Sequence, residues 1–532
     1  MQHFMLFWPL LVLTCGSASR IVASDQVPLL GPSFISNFNS SKSGDINEAK
    51  LKLPDVIEDL FSSGDLNRID LIFAVDVFSA STNESIYSYY HVGEGQEYAL
   101  TEGTLDDQTV SRIGSVSKLF TAHVIIARAG IEVFSHPVTR YLPELARNLS
   151  NDSLQKINWK DISVGTLISQ QAGSGGTGGF FEYTGGDEDK QTPQAFLEYM
   201  RDQQRPVIPP SWNAVYSDGG FVVLGQTMAP VESDANVINR SSQANSSWAY
   251  DIPLYTGTGS VYTSLADLRA TGLSILNSEL LSPITTREWM KPHSGTGSVV
   301  KLVGAPWEIT RLMIPVNPAL NRTRVCDIYI KSGGNVDYTS VIALSPDHGL
   351  GFSILVAGFT ASHARWPLRD ALGETFVRAA EYAAVKNAQD NLSGIFVSNS
   401  SEGTNITLTM DEDQPGLQIK SFYISGEDAL ENSIAARLYP TRLYSGTTSS
   451  ASLYKFNGTS LNAHRMVFSE LPLPPRAAVE GGDGGNLFDH SFAWMGVGLL
   501  GAGDGFIFEI VNERLMSIQT LDSELVFHRV ES

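Results

Sequence analysis

The chain has 532 residues, of which 42% are hydrophobic, so it is long enough for two globular domains and too apolar to be disordered. Its 36 basic and 57 acidic side chains give a formal net charge of -21. This charge argues against nucleic acid or an anionic membrane surface as a partner, because phosphate binding requires clustered Lys and Arg.

The first 18 residues have the pattern of a secretory signal peptide. An apolar stretch runs from Phe4 to Cys15, and the small residues Gly16 and Ala18 precede a suitable cleavage point. A membrane anchor is the alternative, but the stretch is shorter than the roughly 20 residues that a spanning helix needs. We therefore expect a secreted, extracellular protein without membrane contact.

Export would also explain the cysteine and asparagine patterns. Cys15 would leave with the signal peptide and Cys326 would remain as the sole cysteine, so no intrachain disulfide is expected in the mature protein. The glycosylation acceptor Asn-x-Ser/Thr is frequent, as in exported proteins. It begins at Asn39, Asn83, Asn148, Asn151, Asn239, Asn245, Asn321, Asn391, Asn399, Asn405 and Asn457.

The next part of the chain has the pattern of one α+β domain. Residues 19–66 are predicted to be an N-terminal lead, rich in Ser and Asn from 33 to 43. Alternating β-branched residues predict a strand at 68–79 with a hairpin partner after it, and the pattern is helical from about Ser115 to Pro230. Three strands and a helix follow, at 325–334, 338–346, 349–359 and 367–389. Strands at both ends of a helical middle predict one sheet completed by distant segments, in a domain spanning 67–388.

The character of the sequence changes at the end of this domain. Residues 389–532 contain short alternating segments separated by Gly, Asn, Asp and Ser clusters, which predict a small all-β barrel or sandwich. The boundary is expected between Lys386 and Leu392.

A serine three residues before a lysine is a candidate nucleophile beside a base, and this pattern starts at four positions. Ser115 lies at the start of an apolar, helix-patterned run, so a simple helix N-cap is its alternative role. The other three have structural contexts: Ser153 lies in an acceptor sequon, Ser298 in a Gly/Ser loop and Ser452 in the β-rich tail.

Two further motifs select Ser115. Tyr216, Ser217 and Asp218 lie in "VYSDGGFVVLG", and Lys331, Ser332 and Gly333 end a strand in "IYIKSGGNVDYTSVIALSPDHGLGFSILVAG". Together with "RIGSVSKLFTA", "ISVGTLISQQAGSG" and "GTGSVYTSLADL", they resemble the serine β-lactamase and penicillin-binding-protein superfamily, specifically its class C β-lactamase-like branch. "LLSPITTREWMKP" and "GAPWEI" are similar to secreted β-lactamase-like proteins of filamentous fungi, which also carry a β-rich C-terminal domain.

The resemblance implies a β-lactamase/transpeptidase-like fold over residues 67–388, with an antiparallel sheet flanked by helices. Ser115 would be the nucleophile, and Lys118 would lie beside it because residues three apart share a helix face. Tyr216 would serve as a phenolate base or pass the proton to the leaving atom. Lys331 would hold a positive potential and help anchor a substrate carboxylate beside Asp218, Ser332, Gly333 and Gly334. Main-chain N–H groups of Ser115 and Gly334 would form an oxyanion hole.

The chain departs from the family pattern at two places. Asp218 stands where the family has Asn, so an amide donor becomes a carboxylate that favours the charged form of Lys118 and opposes its action as a base. The segment after Gln226 is short, polar and rich in sequons, so either the pocket wall is trimmed or part of the chain is missing.

Three other signals carry less weight. "GSGGTG" at 173–178 follows a helical stretch instead of a strand, so it is interpreted as a loop at the pocket rim and not as a dinucleotide site. His293, Ser294 and Gly295 form a rival to the Lys331 motif, but they enter a loop. The ten histidines have no metal-binding spacing, so neither a metal nor another cofactor is expected.

These observations predict a secreted serine hydrolase that forms an acyl-Ser115 intermediate with a small-molecule or peptide-like ester or amide. A transesterase that hands the acyl group to a small-molecule alcohol is a close alternative. A binding protein that has lost turnover is another. The substrate and the oligomeric state cannot be predicted, because β-lactamases, esterases and peptidases share this chemistry.

Overall fold

The computed structural model describes residues 29–531, apart from 148–151, 153, 226–245, 249–252, 317–322, 411–414, 431–433, 447–453, 455–457, 471–493, 495–496 and 499. The predicted signal peptide, Ser153, Ser452 and the polar segment after Gln226 therefore lie outside the described residues. So do six acceptor asparagines, namely Asn148, Asn151, Asn239, Asn245, Asn321 and Asn457.

The chain separates into two compact units. The sheet-helix unit comprises residues 39–312 and 326–380, and the barrel unit comprises the described parts of 29–38, 313–325 and 381–531. The predicted bounds differ from this division, because residues 39–66 lie in the sheet-helix unit, whereas the described parts of 313–325 and residues 381–388 lie in the barrel unit.

The sheet of the sheet-helix unit has the strand order β2-β1-β10-β9-β8-β7-β6-β5. Its strands are β1 (Ile72–Ser79), β2 (Glu84–Val92), β5 (Ser294–Gly295), β6 (Lys301–Val303), β7 (Glu308–Pro315), β8 (Thr323–Asn335), β9 (Tyr338–Ser345) and β10 (Leu350–Ala357), and a separate short pair joins β3 (Ser111–Arg112) to β4 (Tyr262–Thr263). The N-terminal strand β1 pairs antiparallel with the distant β10, as the sequence predicted. Every residue of β1, β9 and β10 is buried, because both faces of these central strands are covered.

Along the chain, helices lie before, between and after these strands. They are α1 (Gly44–Ser63), α2 (Ser117–Ala129), α3 (Val164–Ile168), α4 (Gly178–Thr184), α5 (Pro193–Asp202), α6 (Asp218–Gly225), α7 (Thr256–Gly259), α8 (Leu265–Leu276), α9 (Pro283–Trp289), α10 (Ala361–Leu372) and α11 (Arg378–Asn387). Helix α10 begins six residues before the predicted start at Pro367, which lies inside the helix.

Helix α1 was not predicted, since the lead was interpreted from its Ser and Asn content alone. The Ser43 side chain caps it by accepting a hydrogen bond from Ile46 N at 3.2 Å. Gly64 ends it in the left-handed region at φ 84°, where glycine is favoured. Its buried residues recur at helical spacing, at Ile46, Ala49, Leu53 and Ile57.

The barrel unit contains a sheet that closes on itself. Its strand order is β12-β11-β19-β18-β17-β16-β15-β13-β14, and β12 also pairs with β13. The strands are β11 (Gly394–Val397), β12 (Asn405–Met410), β13 (Leu417–Ile424), β14 (Glu427–Asp428), β15 (Ile434–Gly446), β16 (Thr459–Glu470), β17 (Gly505–Val511), β18 (Arg514–Thr520) and β19 (Val526–Arg529). The prediction of an all-β C-terminal domain is confirmed, and the structure selects the barrel over the sandwich. In the part of the chain that is described, no helix is both long and apolar enough to cross a membrane.

Candidate active site

Ser115 lies where a tight turn enters helix α2. The turn is a 3-10 segment, Gly114–Val116, and the α-helix itself starts at Ser117. Lys118 therefore lies one turn beyond Ser115, and its Nζ donates a hydrogen bond to Ser115 Oγ at 3.0 Å. The spacing of the two residues in the sequence predicted this contact.

Lys118 is completely buried and makes three hydrogen bonds. Besides Ser115, its Nζ contacts Asp218 Oδ1 at 2.6 Å and the main-chain oxygen of Thr258 at 2.8 Å. Three acceptors match the three N–H groups of an ammonium ion. These contacts match an ammonium form of Lys118 that is ion-paired with Asp218.

Tyr216 completes a triad around the candidate nucleophile. Its hydroxyl donates to Ser115 Oγ at 2.7 Å, although nearly half of its side chain (48%) is exposed. Two ammonium groups flank its ring, with Lys118 Nζ at 5.1 Å and Lys331 Nζ at 5.5 Å from the ring centre. Tyr216 therefore lies between two positive charges.

The loop that presents Tyr216 is held by Gln170. The Gln170 main-chain oxygen accepts from Val215 N at 2.8 Å, and its side-chain oxygen accepts from Ser217 N at 2.6 Å. Gln170 adopts the left-handed region at φ 61°, which is uncommon for a residue other than glycine. The two bonds fix the main chain on both sides of Tyr216.

The turn before Ser115 packs directly against the end of strand β8. A side chain at Gly114 would bring its Cβ within 2.5 Å of Gly334 N, and a Cβ on Gly333 would overlap the Ile113 carbonyl oxygen. Ser340 Oγ, on the neighbouring strand β9, donates to the same Ile113 oxygen at 2.7 Å. The main chain of Ser115 is thus held beside Gly333 and Gly334, where the sequence predicted the oxyanion hole.

Lys331 lies at the other side of Tyr216 and is only 1% exposed. Its Nζ forms an ion pair with Glu308 of strand β7 and donates to Ser332 O at 2.8 Å. Ser332 also contacts this carboxylate, since its N and Oγ donate to Glu308 Oε2 at 3.1 and 2.6 Å.

The electrostatics of this pair favour two charged groups. Burial by itself would lower the pKa of Lys331, but the Glu308 carboxylate and the Tyr216 side chain outweigh it, so the pKa is raised. Burial would raise the pKa of Glu308, but the charge of Lys331 and the hydrogen bonds from Lys331 and Ser332 lower it. Glu308 and Lys331 therefore form an ion pair at neutral pH.

The rival motifs lie elsewhere. Ser294 and Gly295 form the short strand β5, so the prediction that the His293 motif enters a loop is wrong. Strands β6 and β7 separate β5 from β8 in the sheet order. Ser298 lies in an exposed loop. Among the described residues, no group of three or more His, Cys, Asp and Glu side chains is arranged to hold a metal ion.

Three residues near the site were not identified from the sequence: Gln170, Glu308 and Arg365. Arg365, on helix α10, donates through Nη1 to Gly333 O at 2.7 Å. Burial lowers its pKa, and the charges of Glu308 and Tyr216 partly oppose this effect. Glu308 lies in "GAPWEI", a segment that carries the family resemblance but contains no residue predicted to be functional.

Two protein-family models match parts of the chain. Residues 82–234, which include Ser115, Lys118 and Tyr216, match the family model "Beta-lactamase". Residues 82–234 are therefore similar to the beta-lactamase family. Residues 384–529 match a second model, "Beta-lactamase-like-like, C-terminal domain", so the predicted resemblance is confirmed for both parts.

Two similar proteins come from Arthroderma benhamiae and Cochliobolus lunatus. A "Beta-lactamase-like protein" of Arthroderma benhamiae is 27% identical over 65% of this chain and 66% of its own length. "Probable hydrolase clz13" of Cochliobolus lunatus is 21% identical over 66% of this chain and 67% of its own length. The chain thus spans about two thirds of the length of these relatives. Among solved structures, the octameric penicillin-binding protein homologue from Pyrococcus abyssi is 14% identical with a TM-score of 0.44, covering 90% of this chain and 99% of its own.

Proposed function

We propose that the chain is a serine hydrolase that cleaves an ester or amide through an acyl-Ser115 intermediate. The observation that carries this proposal is the double contact of Ser115 Oγ, which lies 3.0 Å from Lys118 Nζ and 2.7 Å from Tyr216 OH. A serine hydroxyl becomes an effective nucleophile only when a neighbouring group takes its proton.

The reaction would proceed in two halves. Ser115 Oγ attacks the acyl carbonyl carbon while its proton passes to the Tyr216–Lys118 pair, one of which must first be deprotonated. The main-chain N–H groups of Ser115 and Gly334 stabilise the resulting oxyanion. The bond to the leaving alcohol or amine breaks as Tyr216 returns a proton to it. Water then attacks the acyl-serine and regenerates the free hydroxyl.

A second candidate function, binding without turnover, rests on the contacts of Lys118. All three protons of its ammonium group are engaged by acceptors, and one of these acceptors is the carboxylate of Asp218. A lysine held in this form cannot act as a base. This candidate therefore predicts a folded pocket that binds a ligand but does not react.

Labelling with an alkyl fluorophosphonate distinguishes the two functions without knowledge of the substrate. The reactive site should be labelled in the wild type and not in Ser115→Ala. Lys118→Ala should slow labelling by about 10²–10⁴-fold, which is the usual cost of losing general-base assistance. Ser298→Ala is the matched control because Ser298 also precedes a lysine by three residues, and it should label at the wild-type rate. Absence of labelling in folded wild type would favour the binding protein.

We also propose that the protein is exported and glycosylated. The proposal rests on the N-terminal apolar stretch and on acceptor asparagines that are exposed, namely Asn83 and Asn399. Intact-mass and peptide analysis of secreted material should show residues 1–18 absent and glycan on these two asparagines. A retained Met1 with neither site modified would contradict export.

A further inference from the structure

A carboxylate of the chain itself is paired with the lysine that the resemblance expected to anchor a substrate carboxylate. Glu308 forms an ion pair with the Lys331 ammonium and accepts hydrogen bonds from the N–H and the hydroxyl of Ser332. These three donors belong to the motif expected to bind an anionic substrate group. Each of them already has Glu308 as its partner.

The exposure of these side chains indicates which of them a ligand would meet first. Lys331 is 1% exposed and Glu308 is 39% exposed, so the carboxylate lies on the solvent side of the pair. An incoming anion would therefore compete with Glu308 for the Lys331 ammonium. Displacement would break the ion pair between Glu308 and Lys331 and the two hydrogen bonds that Ser332 donates to Glu308.

We propose that Glu308 is a specificity-determining residue. It binds the Lys331 ammonium and the Ser332 donors, and it therefore favours acyl substrates that carry no negative charge at this position. The proposal rests on the proposed function, since it assigns a substrate class to the same site. The preferred substrates are neutral esters or amides, and a carboxylate next to the reacting acyl group is rejected by like-charge repulsion.

The charge balance around Ser115 supports a neutral substrate. Lys118 is paired with Asp218, and Lys331 is paired with Glu308. Arg365 adds a further positive charge, held beside the strand end by its bond to Gly333 O. The single negative charge of a tetrahedral oxyanion would balance the positive charge of Arg365. A substrate carboxylate would add a second negative charge near Asp218 and Glu308.

The test uses two fluorophosphonates of equal chain length that differ only in the terminal group, one a carboxylate and the other a carboxamide. Second-order labelling rates are measured for full-length wild type and for Glu308→Gln. We expect wild type to react at least about tenfold faster with the carboxamide, because like charges brought together at a binding site disfavour the wrong partner. Glu308→Gln should reduce this ratio at least about tenfold, since Lys331 then has a free charge for the ligand.

Two variants control for general effects of the substitution. Glu58→Gln removes a carboxylate that pairs with Arg68 on the surface and should leave the ratio unchanged. Glu308→Asp retains the negative charge and should retain the preference for the carboxamide. Thermal melting shows whether each variant is folded, and if Glu308→Gln does not fold, the wild-type ratio and Glu308→Asp still decide the question.

Each outcome has a defined consequence. Equal labelling of wild type by both probes, or a ratio that Glu308→Gln leaves unchanged, would overturn the role of Glu308 while leaving the acyl-serine proposal intact. No labelling of folded wild type by either probe would overturn the proposed function and this inference with it.

Discussion

Gly333 provides a sharp test of how the site is built. An alanine there would place its Cβ on the Ile113 carbonyl oxygen and 2.9 Å from Ser115 N. Both are main-chain atoms of the turn that carries the nucleophile, so they cannot swing aside as a flexible side chain would. We expect Gly333→Ala to push strand β8 away from Ser115.

The size of the effect follows from this overlap. Restoring normal contact requires a shift on the order of 1 Å, and a misplacement of that size costs about 10²-fold in rate. Loss of one oxyanion-hole donor costs about 10²–10³-fold. The fluorophosphonate labelling rate of Gly333→Ala should therefore fall by about two orders of magnitude, measured on protein whose cooperative melting shows that it is folded.

Gly295 is the matched control, because it ends the rival His293 motif and a Cβ there would meet no atom within 4 Å. Gly295→Ala should label at the wild-type rate. A folded Gly333→Ala that also labels at the wild-type rate, or a loss of labelling in Gly295→Ala, would refute the assignment of the third motif to Lys331.

Three further predictions concern single side chains. Asp218→Asn should accelerate fluorophosphonate labelling, because it removes the carboxylate that holds Lys118 as an ammonium ion; a slower rate would show that the site depends on Asp218. Burial lowers the pKa of His464 from 6.5 to about 4, so the folded barrel binds fewer protons there than the unfolded chain does, and stability should fall as the pH decreases from about 6.5 to about 4. The loss amounts to roughly 3 kcal/mol in the free energy of unfolding. His464→Phe keeps an aromatic ring against Phe508 and should lack this part of the pH dependence of unfolding. If the pH dependence of its unfolding equals that of the wild type, the assignment to His464 is contradicted. Val336 is a β-branched residue at φ 51° in the turn between β8 and β9. Val336→Asn should raise the free energy of unfolding by about 1 kcal/mol, because Asn tolerates this conformation. A lower melting temperature would argue against strain at this turn.

Much of the fold could be predicted because local patterns agree with tertiary structure. Alternating and β-branched residues predicted β1, β2 and β8 to β10, and the structure buries these strands in one sheet. Helix α1 was missed since its first turn follows a Ser- and Asn-rich segment and Pro54 lies in its middle. Its capping by Ser43 and its helical spacing of buried residues were signals that the composition obscured.

The site was predictable only where its residues lie close together in the chain. The three-residue spacing of Ser115 and Lys118 on a helix start ensures their contact. Strand pairing brings Glu308 close to Lys331, and loop packing brings Gln170 close to the main chain around Tyr216. A single sequence contains no signal for contacts between such distant residues. The Asp218 substitution was noted from the sequence, but the three acceptors around Lys118 required the structure.

Detection of the acyl-enzyme tests the central claim most directly. Full-length protein mixed with p-nitrophenyl acetate and quenched in acid is digested, and the acetyl group is located by mass spectrometry. The account predicts acetyl on Ser115, loss of both the adduct and turnover in Ser115→Ala, and no change in Ser298→Ala. An acetyl group on a different side chain, or turnover by Ser115→Ala at the wild-type rate, would contradict it.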